Sequence, residues 1–210
     1  MRDLEVGAKL DFHLPYGMFF RTNIAAYRQW YKDIQRLVPF LTPAGIVSTN
    51  VINAASATID GFEIESMFRP VKAVEFSGFV SHVSPKYQHF FVASPKTGVG
   101  LVDVAETASF SGVPRWQYGF TLNLQSPEPT SFGKPSLSIS YYHQSQFRLS
   151  DQADRSPLAS TPGYGLLNAR LQIADVAQTS IGVAVFANNL LDKKYGGFNR
   201  SLQHLRLYVV

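Results

Sequence analysis

The chain has no cysteine among its 210 residues, which excludes disulfide frameworks and cysteine-bound zinc. It also lacks any stretch near the roughly 18 consecutive apolar residues that a spanning helix needs, so a helical membrane protein is excluded. Charge is sparse, at 16% of residues against 45% hydrophobic. The 19 basic residues outnumber 15 acidic ones for a net charge of +4, yet they are scattered, and Lys193-Lys194 is the one adjacent pair. No nucleic-acid patch is expected. Arg2, Asp3, Glu5 and Lys9 interrupt any apolar run at the start, so the first residues do not form a signal peptide and the chain as written is expected to carry no export signal.

Catalytic and metal-binding patterns are missing too. The five histidines, His13, His82, His89, His143 and His204, show no HExxH or HxH spacing, and no GxSxG elbow, phosphate loop or dinucleotide fingerprint occurs. Ser94-Pro95-Lys96 does not have the spacing of an SxxK motif, and Gly163-Tyr164-Gly165 precedes an alternating run, which makes it a turn into a strand. No catalytic residue, metal or cofactor is expected, and the chain is not read as an enzyme. What is left is a soluble β-rich domain or a membrane β-barrel. A barrel strand hides its hydrophobicity in alternation, so the mean hydropathy of -0.04 fits either.

What is present is period two. Leu4, Val6, Ala8, Leu10 and Phe12 alternate with Glu5, Gly7, Lys9 and Asp11, which predicts a strand. Pro15-Tyr16-Gly17 supplies a turn, and Phe20, Thr22, Ile24 and Ala26 then oppose Arg21, Asn23 and Ala25. Later strands follow the same rule: Phe62, Ile64 and Phe68 against Gly61, Glu63 and Glu65, then, after a turn at residues 69–72, Val74, Phe76 and Val80 against Glu75, Ser77 and Ser81. The clearest strand sets Trp116, Tyr118, Phe120, Leu122 and Leu124 against Gln117, Gly119, Thr121, Asn123 and Gln125. Leu137, Ile139 and Tyr141, then Leu167, Ala169, Leu171 and Ile173, the apolar run 181–187 and a last short strand at 204–210 complete about nine strands, each near the length that crosses a bilayer.

The connections alternate between short and long, with long loops expected at about 36–53, 84–112 and 149–163. Outer-membrane barrels have this rhythm, short turns on the periplasmic rim and longer loops outside, whereas a soluble sandwich has no reason for it. Glu63, Glu65, Gln117, Asn123 and Arg170 are expected to face a wet lumen. Phe19, Tyr27, Trp30, Tyr31, Trp116, Tyr141 and Tyr164 are expected in the interfacial aromatic girdles. A soluble β-sandwich or lipocalin-like barrel is the alternative that alternation alone leaves open.

Several segments resemble the C-terminal barrel region of TonB-dependent outer-membrane receptors, in order along nearly the whole chain. Glu5-Val6-Gly7-Ala8-Lys9 resembles a glutamate-x-glycine-x-lysine strand of that family, followed by Asn23-Ile24-Ala25-Ala26-Tyr27 and Tyr31-Lys32-Asp33-Ile34-Gln35. Residues 57–65 and Val113-Pro114-Arg115-Trp116 are similar to later strands and their approach. The strongest matches are residues 162–170 and Asn188-Asn189-Leu190-Leu191-Asp192-Lys193-Lys194-Tyr195. The resemblance implies an all-β fold in which residues 1–210 form a partial antiparallel transmembrane β-barrel, about nine strands of a barrel of about 22, without the plug domain and TonB-contact segment of a whole receptor. Family members end on an aromatic residue, usually phenylalanine, that the barrel-assembly machinery is thought to recognise; this chain ends Leu205-Arg206-Leu207-Tyr208-Val209-Val210.

By resemblance the location is the cell outer membrane, the partners are its lipid bilayer, an iron-siderophore or similar large nutrient, and the TonB system acting through a plug. In the long loops, Phe40, Phe90, Phe91 and Phe110 are the candidate ligand contacts. Two further readings stand beside this one: a truncated remnant that does not transport, and a soluble ligand-binding β-barrel.

Overall fold

The alternating runs become strands because each places every second side chain on one face, and β-branched and aromatic residues fill those positions. The computed structural model describes residues 1–42, 44–94, 100–151, 160–195 and 206–209. Its strands are β1 (Arg2–His13), β2 (Phe19–Leu41), β3 (Val47–Val71), β4 (Val74–Ala93), β5 (Leu101–Asp103), β6 (Trp116–Gln125), β7 (Lys134–Gln144), β8 (Phe147–Arg148), β9 (Ser160–Thr161), β10 (Tyr164–Ala174), β11 (Val183–Asn188) and β12 (Arg206–Val209). The main sheet runs β1-β2-β3-β4-β6-β7-β10-β11-β12, nine strands among the described residues, as the sequence predicts. β5 hangs on β4, and β8-β9 form a separate small hairpin. All these pairs are antiparallel, and the sheet is not closed on itself: β1 is paired on one edge only. The expected last strand at 204–210 is described only over β12, and His204 lies outside the described residues, as does most of the expected loop at 149–163.

Short connections sit at one end of the sheet. The first is a 3-10 turn at Pro15–Gly17, in which Tyr16 (φ 62°) and Gly17 (φ 77°) are left-handed and the Leu14 N–H reaches the Met18 carbonyl at 2.9 Å. Residues 72–73 and a 3-10 turn at Val176–Gln178 serve the same purpose. The other end differs from expectation. The supposed loop at 36–53 is mostly strand, because β2 and β3 pair up to Leu41↔Val47, and β4 continues to Ala93. Pro39 and Pro85 suggest loops, yet both lie where their strand has a free edge: β1 leaves β2 at Trp30, and β6 leaves β4 at His82. A proline needs no ladder partner there. Asp33, left-handed at φ 56°, absorbs an irregularity between Tyr31 and Ile34 that lets pairing resume. At about 3.3 Å per residue the 23 residues of β2 span roughly 75 Å, far more than the 9–11 residues a bilayer takes, so β2, β3 and β4 project as an arm.

The register assigns every side chain to a face. One row across the sheet is Phe12, Phe20, Phe68, Phe76, Leu122, Ile139, Ala169 and Ala187. A row on the opposite face is Asp11, Arg21, Met67, Ser77, Thr121, Ser140 and Asn168. The apolar face is open to the surroundings: Leu4, Val6, Phe76, Phe120 and Leu171 all count among the exposed residues. Buried hydrophobic side chains collect instead in the arm, where Ala55, Ala57, Tyr87, Phe90 and Val92 form a cluster covered by Val104, Ala105, Ala108 and Phe110. Two aromatic rings of the other face lie flat on glycines of the next strand, Tyr27 on Gly61 and Phe79 on Gly119; a Cβ at Gly119 would sit 2.9 Å from the Phe79 ring and 2.8 Å from the Tyr141 carbonyl oxygen.

Candidate functional site

Among the described residues, charged and hydrogen-bonding side chains converge on the polar face of the sheet. Glu63 lies between Ala25 and Ser81, Glu65 between Asn23 and Phe79, Gln117 between Ser81 and Gln144, Asn123 between Glu75 and Ser138, and Arg170 between Ser138 and Phe186. All five residues predicted for the lumen therefore share this face. Glu65 lines a cavity of about 430 Å³ with Arg21, Asn23, Thr121, Ser140 and Tyr142. Asn123 and Arg170 line a second one of about 640 Å³ with Arg69, Glu75 and Gln172. Glu63 and Gln117 line neither, although Gln117 accepts a hydrogen bond from the Tyr142 hydroxyl at 3.4 Å.

Ion pairs gather toward the short-turn end. Arg21 donates to both oxygens of Asp11, at 2.7 and 2.9 Å. Arg69 reaches Glu75 at 2.6 Å and Lys134 reaches Asp175 at 2.8 Å. Arg170 is held at 3.2 and 3.0 Å by the Gln172 side-chain oxygen and lies 5.8 Å from the centre of the Phe186 ring. These pairs were not legible in the sequence, because Asp11 and Arg21 meet only through the β1-β2 register. Fixed cations and carboxylates along a polar wall suit a hydrated passage or a polar partner domain. Among the described residues no group of three or more histidines and carboxylates has the placement to hold a metal ion.

The girdle expectation needs correction for four residues. Phe19, Tyr27, Tyr31 and Tyr164 stand on the polar face, because they share the parity of Arg21, Asn23 and Gln144 along their ladders. Trp30, Trp116 and Tyr141 stand on the apolar face, where Trp116 lies 4.2 Å from His82 and 5.8 Å from Phe62 between ring centres. A rim signal drawn from strand ends alone is blind to face.

The four loop candidates divide as well. Phe90 is in β4 and only 4% exposed, and Phe110 covers the same cluster by stacking on Tyr87 at 4.2 Å. Phe91 points the other way and is 37% exposed, 5.9 Å from His89. Phe40 pairs with Ser48 in the β2-β3 ladder. Asp103 pins this region: its carboxylate accepts the N–H of Phe90 at 2.8 Å, that of Ala105 at 3.0 Å and the Nδ1–H of His89 at 2.8 Å. The Phe90 N–H first, and then His89, holds the Asp103 carboxyl below its ordinary range.

Comparison with known proteins agrees with this geometry. The sheet superimposes on part of BauA, the ferric preacinetobactin receptor from Acinetobacter baumannii, with a TM-score of 0.57 at 20% identity, covering 99% of this chain and 28% of that one. It matches the FrpB iron transporter from Neisseria meningitidis with a TM-score of 0.66 at 16% identity, over 99% and 30%. For FyuA, the ferric yersiniabactin uptake receptor from Yersinia pestis, the TM-score is 0.60 at 13% identity, over 99% and 28%. The chain thus spans less than a third of the length of these proteins, and at such identities the likeness is one of fold. No curated protein matches the sequence. The sequence model of the family described as TonB dependent receptor-like, beta-barrel, does match, over residues 2–190. With the alternating strands, the two-faced sheet and this match together, the chain belongs to the TonB-dependent receptor β-barrel family.

Proposed function

We propose that residues 1–210 form one stretch of the wall of an outer-membrane barrel that takes up a large nutrient, an iron-siderophore or similar complex, by TonB-dependent transport. The observation that carries this reading is the face assignment: one register, continuous across nine strands, gives an open apolar face and a hydrogen-bonding face. Lipid satisfies the first and a wet lumen the second. Glu63, Glu65, Gln117, Asn123 and Arg170 then line the lumen. The open edge of β1 requires a further strand beside it, since backbone groups left unpaired in hydrocarbon cost several kcal/mol each. TonB acts through a plug domain seated against the ion-paired polar wall. Of the four loop aromatics, Phe91 is the ligand contact, as the one described with its ring outside the buried cluster.

The test is in cells. The protein sediments with the outer-membrane fraction in a density gradient and runs faster on a gel before boiling than after; recovery in the soluble fraction overturns the membrane reading and leaves a soluble ligand-binding barrel. Deletion of its gene under iron limitation removes growth on at least one of a panel of ferric catecholates and hydroxamates. Growth unchanged on all of them removes the siderophore class, and no uptake of any supplied nutrient leaves a remnant.

A further inference from the structure

Two successive rows of the register cross the short-turn end of the sheet, Glu75-Asn123-Ser138-Arg170 from β4 to β10 and Gln125-Ser136-Gln172 from β6 to β10. All of these have the parity of the polar face, and so does Arg69, opposite Phe19. They line the cavity of about 640 Å³ together with Lys72 and Ala73 of the turn before β4, and only Leu124 and Leu137 in the lining carry the other parity. The cavity is therefore a trough in the polar face, laid across the strands.

Three cations and one carboxylate line it. Glu75 is taken by Arg69 at 2.6 Å, and two residues before Ser136, Lys134 is neutralised by Asp175 at 2.8 Å. Lys72 and Arg170 remain, both exposed and neither in an ion pair with a described residue. Between them the side chains of Asn123, Ser136 and Ser138 form no hydrogen bond with a described residue. Lys72 enters β4 and Arg170 is in β10, three strands away, or roughly 14 Å at about 4.8 Å per strand. Arg170 also leans away from Lys72, over the Phe186 ring of β11. One small anion does not reach both cations, whereas about four residues of extended chain, at about 3.3 Å each, do.

We propose that this trough seats an extended, acidic polypeptide segment of the plug, with one carboxylate on Lys72 and a second, about four residues along, on Arg170. Charge-assisted hydrogen bonds hold its two ends. Asn123, Ser136 and Ser138, which both donate and accept, satisfy the backbone between them. The inference rests on the reading proposed above and deepens it, since the short-turn end is then the periplasmic rim of the lumen. A plug fastened there by exposed charges, without buried apolar contacts, is released at small cost.

The experiment places the photocrosslinking residue p-benzoylphenylalanine at Ser138 of the protein in its own cells and sequences the joined peptide by mass spectrometry. The expected product is a plug segment in which two Asp or Glu residues stand about four apart. Lys72→Gln and Arg170→Gln each lower its yield about fivefold. Together they lower it about twenty-five-fold, because sites this far apart act independently. Lys86→Gln, toward the other end of the sheet, leaves the yield unchanged, and p-benzoylphenylalanine at Leu137, on the apolar face, joins no polypeptide. Unchanged gel mobility before boiling shows that the variants fold. A joined segment without carboxylates, an acidic one from a protein with no plug, no product at all, or a yield indifferent to both replacements overturns the proposal. An outer-membrane protein that gives no product loses this site alone, whereas recovery in the soluble fraction removes the reading on which it rests.

Discussion

The sheet from β1 to β11 and the arm made by the outer halves of β2, β3 and β4 are built from the same ladders, yet they bury their apolar residues in opposite ways. In the sheet, Phe120 is 41% exposed and Leu171 53%, whereas in the arm Tyr87 is 2% and Phe90 4% exposed. On the membrane orientation proposed above, the difference is solvent. A strand level with lipid obtains its burial from acyl chains and needs no second layer, while a strand standing in water must fold its own connection back over itself. Residues 104–110 do this, and Asp103 fastens them.

The contrast can be broken from either side. The largest effect is expected for Phe90→Ala, which empties the centre of the arm's cluster at a cost of about 3–5 kcal/mol. Limited proteolysis within residues 94–115 rises steeply, while the unboiled gel mobility of the barrel is unchanged; if that mobility is lost as well, the arm and the sheet are one cooperative unit. Next is a matched pair on β6. Phe120→Arg puts a charge on the lipid face and costs about 2–4 kcal/mol near the bilayer midplane, seen as reduced insertion into vesicles. Thr121→Arg, one residue along on the polar face, stays within about 0.5 kcal/mol. Equal defects in the two variants would mean that the faces are wrongly assigned.

The smallest effect is the acid response of the arm. The Asp103 carboxyl is held below its ordinary value, by the Phe90 N–H first and by His89 second. Its contribution is therefore present in full above the ordinary aspartate value and is lost as the pH falls through the lower folded value. Proteolysis of residues 94–115 by an acid-active protease, followed from about pH 6 to about pH 3, a range that brackets the ordinary aspartate pKa, accelerates at the acid end, and Asp103→Asn flattens that profile. A sheet that loosened in the same range would show that the acid response is not confined to the arm.

Strand identity, strand face and the short turns were legible in the sequence because each is a local property. Alternation at residues 116–125 names the β6 faces without knowledge of any neighbour, and Pro15-Tyr16-Gly17 turns by its own backbone preferences. The family was legible for a similar reason, since the segments that resemble it, such as residues 162–170 and 188–195, are short and local. The site was legible only as a face: alternation puts Glu65, Asn123 and Arg170 on the polar side, but it does not set Arg69 beside Glu75 or Tyr142 beside Gln117.

Register accounts for what was not legible. The partner of a side chain in a sheet is set by the alignment of residues far apart in sequence, so Asp11 finds Arg21 and Tyr27 finds Gly61 only once the strands are in place. Whether Pro39 and Pro85 break a strand depends on whether a neighbour occupies that edge, and β4 continues where β6 has stopped. The sequence by itself determined that its alternating runs are strands and which way the residues within them point, because steric alternation is a property of one chain. The tertiary structure decided how far each strand runs, what lies beside it and which aromatics are buried, because those depend on the presence or absence of a neighbouring strand.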